Sequence, residues 1–289
     1  MKNILGKIKI VFLYIFIKIY FYIFDSKIMK NDKFGLTYYV WKDTRPIDTF
    51  LNKIRTDDTT VILVIKEIIK NDLIKNQKNI FFDVGAYIGI ITLVFNKYCN
   101  KGTEIHSFEP FRKNFLRLKE NINLNKISSI YLNNQALGDK KELVTLEDPK
   151  DPGMTKIVKK NFDNVKGSLH HDISSDSLES YVLKNNISNI NLIKIDTEGY
   201  DYKVLKGSKN LLKNNQIDYL IVEYMHLTDD SNEVLRILKT NGYKIFYLLR
   251  NEGKLTDDIS KINLSKSNIL NILAISPIKN QTIISQLKI

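Results

Sequence analysis

The chain has 289 residues, of which 43% are apolar and 26% charged, as in a globular protein with a sizeable core. The formal net charge is +12, but the lysines are scattered along the whole chain, which argues against a nucleic-acid partner. The single cysteine, Cys99, excludes an internal disulfide and a multi-thiolate zinc site, and four histidines are few for a histidine-rich metal cage.

The amino terminus carries an apolar segment, residues 10–24, which is interrupted only by Lys18 and flanked by further lysines. As a helix it would rise about 22 Å, less than the roughly 30 Å hydrocarbon core of a bilayer. Two interpretations stay open: a helix lying at a membrane interface, or a helix packed on its own domain or on a second subunit. Residues 1–30 are therefore a candidate membrane anchor, and we expect a cytoplasmic protein that is membrane-associated through this helix.

The rest of the chain divides into a mostly helical lead-in or cap, residues 31–78, and a domain from 79 to 289. In that domain, short apolar strands alternate with amphipathic helices, which predicts a mostly parallel sheet covered by helices on both faces. The last two apolar runs, 244–249 and 271–276, have no helix between them and are predicted to pair antiparallel at an edge.

The first strand of this domain runs into the turn DVGAYIG, residues 83–89. Tyr87 stands between Gly85 and Gly89, where a dinucleotide-binding turn needs a further glycine against the pyrophosphate. The segment also lacks the lysine and serine or threonine that end a phosphate-binding P-loop. A ligand without a phosphate at this point is therefore favoured over a dinucleotide, and a plain strand-to-helix turn is the alternative.

The next strand ends at Glu109, in HSFEPF. A carboxylate there can accept hydrogen bonds from both hydroxyls of a ribose, and Phe108 and Phe111 offer apolar surface to a base. A phosphate-free nucleoside with an amino-acid tail matches S-adenosylmethionine, whose ammonium group Asp83 would meet directly or through water.

A second unusual stretch is NLIKIDTEGYDYKVLKG, residues 191–207. Lys194 falls inside a predicted central strand, where a buried ammonium needs a carboxylate partner; Asp83 and Glu223 are the expected ones. Asp196 closes the strand and is suited to be a general base, a metal ligand or a helix cap, whereas Glu198 is equally well explained as a helix-start acid.

These segments, together with NQALGD and LIVEY, resemble in order and spacing the FkbM-type methyltransferases, a family of class I S-adenosylmethionine-dependent enzymes. The resemblance covers about residues 79–276. It implies an α/β fold: a doubly wound, mostly parallel, seven-stranded Rossmann-like methyltransferase sheet with one antiparallel strand near the edge. It also implies methylation of hydroxyl oxygens.

The residue patterns and the resemblance together predict a site. The residues expected to bind S-adenosylmethionine are Asp83, Gly85, Tyr87, Gly89, Phe108, Glu109, Gln135, Ala136 and Asp196. The resemblance implies that Gln135 and Ala136 lie near the adenine. Catalysis is assigned to Asp196 first, as base or substrate anchor, with Glu223 and His226 behind it, although His226 is displaced from the position usual in the family. Substrate contacts are assigned to Glu198 and Tyr224. No metal is expected, but Asp196 and Glu223 are a pair able to coordinate magnesium.

The predicted activity is methylation of a hydroxyl on a glycan, a lipid-linked sugar or a related small metabolite. Two other classes stay open: a nicotinamide-dependent reductase, and a catalytically inactive membrane-associated adaptor that keeps the fold. The segment from about 146 to 173, which would shape the acceptor cleft, matches no pattern, so neither the acceptor nor the oligomeric state is predicted.

Overall fold

A computed structural model gives the structure of the chain. It describes residues 28–31, 34–40, 56–73, 78–148, 156–158, 169–225, 229–249, 254–261 and 269–279. The expectation of membrane association is corrected by this structure: among the residues it describes, no helix combines the length and apolar character needed to cross a bilayer. The apolar segment that suggested it, residues 10–24, lies outside the described residues.

The elements of the described residues are numbered here in chain order. The strands are β1 (Ile28–Asn31), β2 (Thr37–Val40), β3 (Ile80–Val84), β4 (Glu104–Phe108), β5 (Ile130–Asn133), β6 (Ala136–Gly138), β7 (Glu142–Asp148), β8 (Lys156–Val158), β9 (Leu169–Ser177), β10 (Ile190–Ile195), β11 (Ile217–Met225), β12 (Lys244–Leu249), β13 (Lys254–Thr256) and β14 (Ile269–Ile275). The helices are α1 (Thr56–Asn71), α2 (Ile90–Tyr98), α3 (Arg112–Leu124), α4 (Leu178–Lys184), α5 (Asp201–Lys206), α6 (Lys209–Lys213) and α7 (Asp229–Thr240).

The main layer is an eight-stranded sheet with the order β13-β12-β14-β11-β10-β3-β4-β5. The five adjacent strands β11, β10, β3, β4 and β5 are parallel to one another, whereas β14 runs antiparallel to both β11 and β12. The order therefore reverses between β3 and β10, since the chain moves from β3 outward to β5 on one side and from β10 outward on the other. In open parallel sheets, a crevice at the carboxyl ends of the strands beside such a reversal is the usual ligand site.

Helices cover both faces of this sheet, and each face has its own apolar core. On one face α1, α2 and α3 pack on alternate strand residues, with Ile62, Val94 and Leu118 at or below 2% exposure. On the other face α4 to α7 do the same through side chains such as Leu205 and Leu212. The helix α4 begins at a serine cap, because Ser177 Oγ accepts a hydrogen bond from the Ser180 N–H (3.1 Å).

A second, four-stranded sheet with the order β6-β9-β7-β8 is inserted between β5 and α4. It packs on α5 through two glycines: a Cβ on Gly207 would lie 1.9 Å from the carbonyl oxygen of Gly138. An ion pair between Lys203 of α5 and Asp139 (3.0 Å) fixes the same contact. The ring of His171 in β9 lies 5.9 Å from that of Phe111, so this sheet borders the carboxyl end of the main one.

The β1–β2 hairpin precedes the main domain, begins before the lead-in proposed from the sequence, and is tied to the main domain by Asn121 of α3. Its side-chain oxygen accepts a hydrogen bond from the Tyr39 N–H (2.6 Å), and its amide donates to the carbonyls of Tyr39 (3.1 Å) and Ile88 (2.8 Å). Asn121 is fully buried, so one side chain satisfies backbone groups of the hairpin and of the turn before α2.

The predicted doubly wound α/β fold is confirmed, including the antiparallel pairing of β12 with β14. The expected seven strands are β5, β4, β3, β10, β11, β14 and β12. The structure adds β13, a three-residue strand that pairs antiparallel with β12 at the edge. The four-stranded sheet was not predicted.

Candidate active site

The turn after β3 brings the tips of three neighbouring strands together. The N–H groups of Gly85 and Ala86 donate to the carbonyl of Phe108 in β4 (3.0 and 2.9 Å). On the other side, the Asp196 N–H donates to the carbonyl of Val84 (3.0 Å). Gly85 has a φ of +79°, and a Cβ there would lie 1.8 Å from the Asp196 carbonyl oxygen. Glycine is therefore required at 85 because the backbone after β10 passes directly over it.

The space beside the second glycine of the turn, Gly89, is also occupied by protein atoms. Gly89 has a φ of +91°, and a Cβ on it would lie 2.4 Å from a methyl carbon of Leu118 in α3. Tyr87 between them adopts a φ of +52°, a conformation uncommon for a residue with a side chain. Both bare positions thus serve the packing of neighbouring elements, which agrees with a turn that does not cradle a pyrophosphate.

Glu109 follows β4 and is fixed to this turn. Its Oε2 accepts from the Tyr87 N–H (2.8 Å) and its Oε1 from the Phe111 N–H (2.9 Å). The side chain is 5% exposed, and burial raises its pKa to about 8 against the opposing effect of these hydrogen bonds and of one from Asn114. A buried carboxyl at a strand tip, aligned by backbone amides, is suited to accept hydrogen bonds from a ligand's hydroxyl groups.

Asp83 lies beneath the turn rather than on its surface. Its carboxylate is fully buried and accepts a hydrogen bond from Thr92 Oγ1 (2.6 Å), which in turn contacts Ser107 Oγ (2.8 Å). Its Oδ1 has no hydrogen-bond partner, and burial raises its pKa while the charge of Lys194 opposes the shift. A ligand ammonium is a group that would satisfy the unpaired oxygen, and its contact with Asp83 stays a prediction.

A group of carboxylates surrounds Lys194 at the ends of β10 and β11. Lys194 Nζ lies 2.7 Å from Asp196 Oδ2, so it forms an ion pair with the acid that follows its own strand, whereas the sequence suggested Asp83 and Glu223 as partners. Burial raises the pKa of Glu223 well above its ordinary value, and the charges of Asp196, Asp201 and Glu198 act in the same direction. Lys194 opposes that shift.

The acid at the start of α5 is Asp201, which corrects the interpretation of Glu198 as the helix-start acid. Asp201 lies in the first turn of α5, and its Oδ1 accepts a hydrogen bond from the Thr197 N–H (3.0 Å). Glu198 precedes the helix with a φ of +54°. Asp201 was missed because three acids occur within six residues, although an acid in the first turn of a helix is a recognised pattern. The substrate contact assigned to Glu198 stays a prediction.

The side chains of two predicted site residues, Phe108 and Tyr224, do not reach the crevice. Phe108 is 1% exposed and packs in the core against Phe82 and Tyr181, so only its backbone reaches the turn. Tyr224 is 2% exposed, with its ring 5.9 Å from that of Tyr247. Both side chains point away from the face that carries Asp83, Lys194 and Glu223, because neighbouring strand residues alternate between faces.

The segment assigned to the adenine lies beside Glu109. Asn134 donates from its side-chain amide to the carbonyls of Glu109 (2.8 Å) and Pro110 (2.9 Å), which holds the start of this segment in place. Gln135 follows and is half-buried, whereas Ala136 begins β6 with 3% exposure. Asn134 was missed because a polar residue after a strand has no distinguishing sequence pattern.

Two remaining predictions concern His226 and a metal. His226 lies outside the described residues. Within the part of the chain that the structure describes, no group of three or more histidine, cysteine, aspartate or glutamate side chains is arranged to hold a metal ion.

Comparison with known proteins finds methyltransferases. A family model described as the Methyltransferase FkbM domain matches residues 83–245, more than half of the chain. Hexuronic acid methyltransferase AglP of Haloferax volcanii is 24% identical over 220 residues, covering 76% of this chain and 78% of the relative. Methyltransferase 1 of Beauveria bassiana is 24% identical over 179 residues, covering 56% and 71%.

The solved structure of methyltransferase FkbM from Methylobacillus flagellatus superposes with a TM-score of 0.46 at 16% identity, covering 72% of this chain. This chain spans 47% of that protein's length. From the match of the family model, the chain belongs to the FkbM methyltransferase family, as the sequence predicts.

Proposed function

We propose that this protein is an S-adenosylmethionine-dependent O-methyltransferase that acts on a hydroxyl of a sugar, in a glycan, a lipid-linked sugar or a related metabolite. The observation that carries the proposal is Glu109, a buried carboxyl held at a strand tip by the N–H groups of Tyr87 and Phe111. It meets the chemical requirement for binding a ribose diol beside the point where the strand order reverses.

The fit of a phosphate-free nucleoside rests on the glycine turn. A pyrophosphate needs bare backbone that it can approach, but Gly85 faces the Asp196 carbonyl and Gly89 faces Leu118. This favours S-adenosylmethionine over a nicotinamide dinucleotide. Asp83, with its unpaired Oδ1, supplies an anion beneath the same turn for the ammonium end.

When bound, S-adenosylmethionine supplies a methyl carbon on a sulfonium, which an oxygen nucleophile attacks as the carbon–sulfur bond breaks and its electron pair stays on sulfur. The protein must then align the acceptor hydroxyl and take its proton. Asp196 suits this role because its side chain is 27% exposed while Lys194 behind it is 8% exposed. Asp196 would accept the hydroxyl proton, and Glu198 and Glu223 would border the acceptor.

The sugar acceptor is proposed from the printed function of one relative, the hexuronic acid methyltransferase of Haloferax volcanii. Carboxylates at the crevice support it chemically, since they accept hydrogen bonds from sugar hydroxyls.

The test uses the purified full-length chain. Calorimetry should show binding of S-adenosylhomocysteine and not of NADH, and labelled S-adenosylmethionine should transfer its methyl group to methyl glycosides of hexoses or of hexuronic acids. Binding of NADH alone would favour a reductase instead, and binding of neither ligand would favour an adaptor without catalytic function.

A further inference from the structure

Lys194 is a buried ammonium in the middle of the main sheet, and the residues that flank it along β10, Ile193 and Ile195, are apolar. Its side chain is 8% exposed, whereas that of its partner Asp196 is 27% exposed. The ion pair therefore presents its carboxylate to the crevice and keeps its cation behind it. A pair formed for stability alone has no need of this orientation.

The register of the strands places other acids around the same ammonium. Lys194 is aligned with Asp83 on β3 and with Ile221 on β11, and Glu223 lies two residues further along β11. The titratable groups that face this centre from the elements packed around it are Asp83 of β3, Asp196 after β10, Glu198 in the following turn, Asp201 of α5 and Glu223 of β11.

From this geometry we propose that Lys194 is a positioning residue for methyl transfer. It holds Oδ2 of Asp196 at 2.7 Å, so that the other carboxylate oxygen is oriented toward the hydroxyl of the acceptor. This inference rests on the proposed function, because it assigns Asp196 as the group that receives the proton.

The ion pair matters for catalysis because it fixes the direction of the Asp196 carboxylate. Without the contact to Lys194 Nζ, the side chain would be able to rotate, and the oxygen that receives the proton would no longer be held in line with the acceptor hydroxyl. The buried position of Lys194 keeps the ammonium itself from contacting the acceptor.

The experiment compares Lys194→Gln and Lys194→Met with the wild type in the full chain. The acceptor is the first methyl glycoside of glucose, mannose or glucuronic acid that the wild type methylates. We expect kcat to fall at least 100-fold in both variants, while the Kd for S-adenosylhomocysteine changes less than threefold. The matched control is Lys184→Gln, which breaks an ion pair of the same 2.7 Å length between Lys184 and Asp176 outside the crevice, and its kcat should be unchanged.

Lys194→Arg addresses the case in which the neutral variants do not fold. We expect its kcat to lie about tenfold below the wild type with unchanged affinity for S-adenosylhomocysteine, because the larger planar guanidinium keeps the charge but displaces Asp196. The inference is overturned if a neutral variant keeps kcat within threefold, if Lys194→Arg equals the wild type, or if kcat and ligand affinity fall together. A wild type that neither binds S-adenosylhomocysteine nor methylates any glycoside would instead overturn the proposed function.

Discussion

The Tyr87 N–H donates to Oε2 of Glu109 at 2.8 Å, so the glycine turn after β3 and the tip of β4 are one hydrogen-bonded unit. The consequence is electrostatic as well as geometric. The pKa of Glu109 is raised to about 8 by burial, so in the free protein the carboxyl is mostly protonated at pH 7.

Binding of S-adenosylhomocysteine should therefore depend on pH through Glu109. Ribose hydroxyls that donate to this residue favour its ionised form, so binding releases a proton below about pH 8. Affinity should fall toward tenfold per pH unit as the pH drops below that value and level off above it. Calorimetry at pH 6, 7, 8 and 9 measures this, in buffers of different ionisation enthalpy to count the released proton.

Glu109→Gln is the control for that measurement. It removes the titrating group, and we expect about 10- to 100-fold weaker binding at pH 8, from a lost hydrogen bond to a charged group of about 1.5–3 kcal/mol. Any pH dependence of the ligand itself persists in this variant. Equal slopes in the wild type and the variant would show that Glu109 does not bind the diol.

The close approach of the backbone at Asp196, directly after β10, to Gly85 predicts a large effect of Gly85→Ala. The new Cβ would meet the Asp196 carbonyl oxygen, and the positive φ adds about 1–2 kcal/mol of strain. Gly242→Ala is the matched control, because Gly242 has a φ of +78° but its nearest neighbour, Pro277, would lie at an ordinary 3.5 Å. In urea denaturation, Gly85→Ala should cost at least about 2 kcal/mol more than the control. Equal costs would mean that the backbone at Asp196 moves aside freely.

Asp196 and Glu223 should respond differently to amide substitution. Burial and neighbouring acids raise the pKa of Glu223, so it is neutral at pH 7 and glutamine imitates it. We expect Glu223→Gln to keep the melting temperature within a few degrees and kcat within about tenfold. Asp196→Asn should lower kcat by about 100- to 10,000-fold, the usual range for a lost general base, and still bind S-adenosylhomocysteine. A more severe loss of kcat in Glu223→Gln would reverse the two roles.

Asn121 should be essential for attaching the β1–β2 hairpin. Asn121→Ala removes three hydrogen bonds, to the N–H and the carbonyl of Tyr39 and to the carbonyl of Ile88. At about 0.5–1.5 kcal/mol for each lost hydrogen bond, we expect a destabilisation of about 2–4 kcal/mol in thermal or urea unfolding. Asn123→Ala, on the exposed face of the same helix, should stay within about 0.5 kcal/mol.

The alternation of strands and helices made most of the main sheet predictable. Apolar runs such as Ile80–Val84 and Ile190–Ile195 are buried on both sides, and a turn residue or cap marks the start of the next helix. The inserted sheet was not predictable in this way. Two of its strands, β6 and β8, have three residues each, and the longest, β9 (LHHDISSDS), is almost wholly polar, so no apolar periodicity distinguishes it from a loop.

The candidate site was predictable in its strand tips but not in its contacts. The positions of Asp83, Glu109 and Asp196 follow from where apolar runs end. The partner of Lys194 does not, because the sequence cannot tell whether a long side chain reaches across to a neighbouring strand or forward along its own. The role of Gly85 was also hidden, since the atom it accommodates is a backbone oxygen more than 100 residues away in sequence.

The contact between Gly138 and Gly207 gives the inserted sheet a fixed base. The two backbones touch there, and Lys203 forms an ion pair with Asp139 beside them. The way the inserted sheet docks on the main domain therefore depends on a few positions close to α5. The segment expected to shape the acceptor cleft, from about residue 146 to 173, begins after this joint in the chain. We therefore expect that exchanging β8 and the residues on either side of it for those of another family member would change acceptor selectivity while the docking of the sheet on α5 is kept.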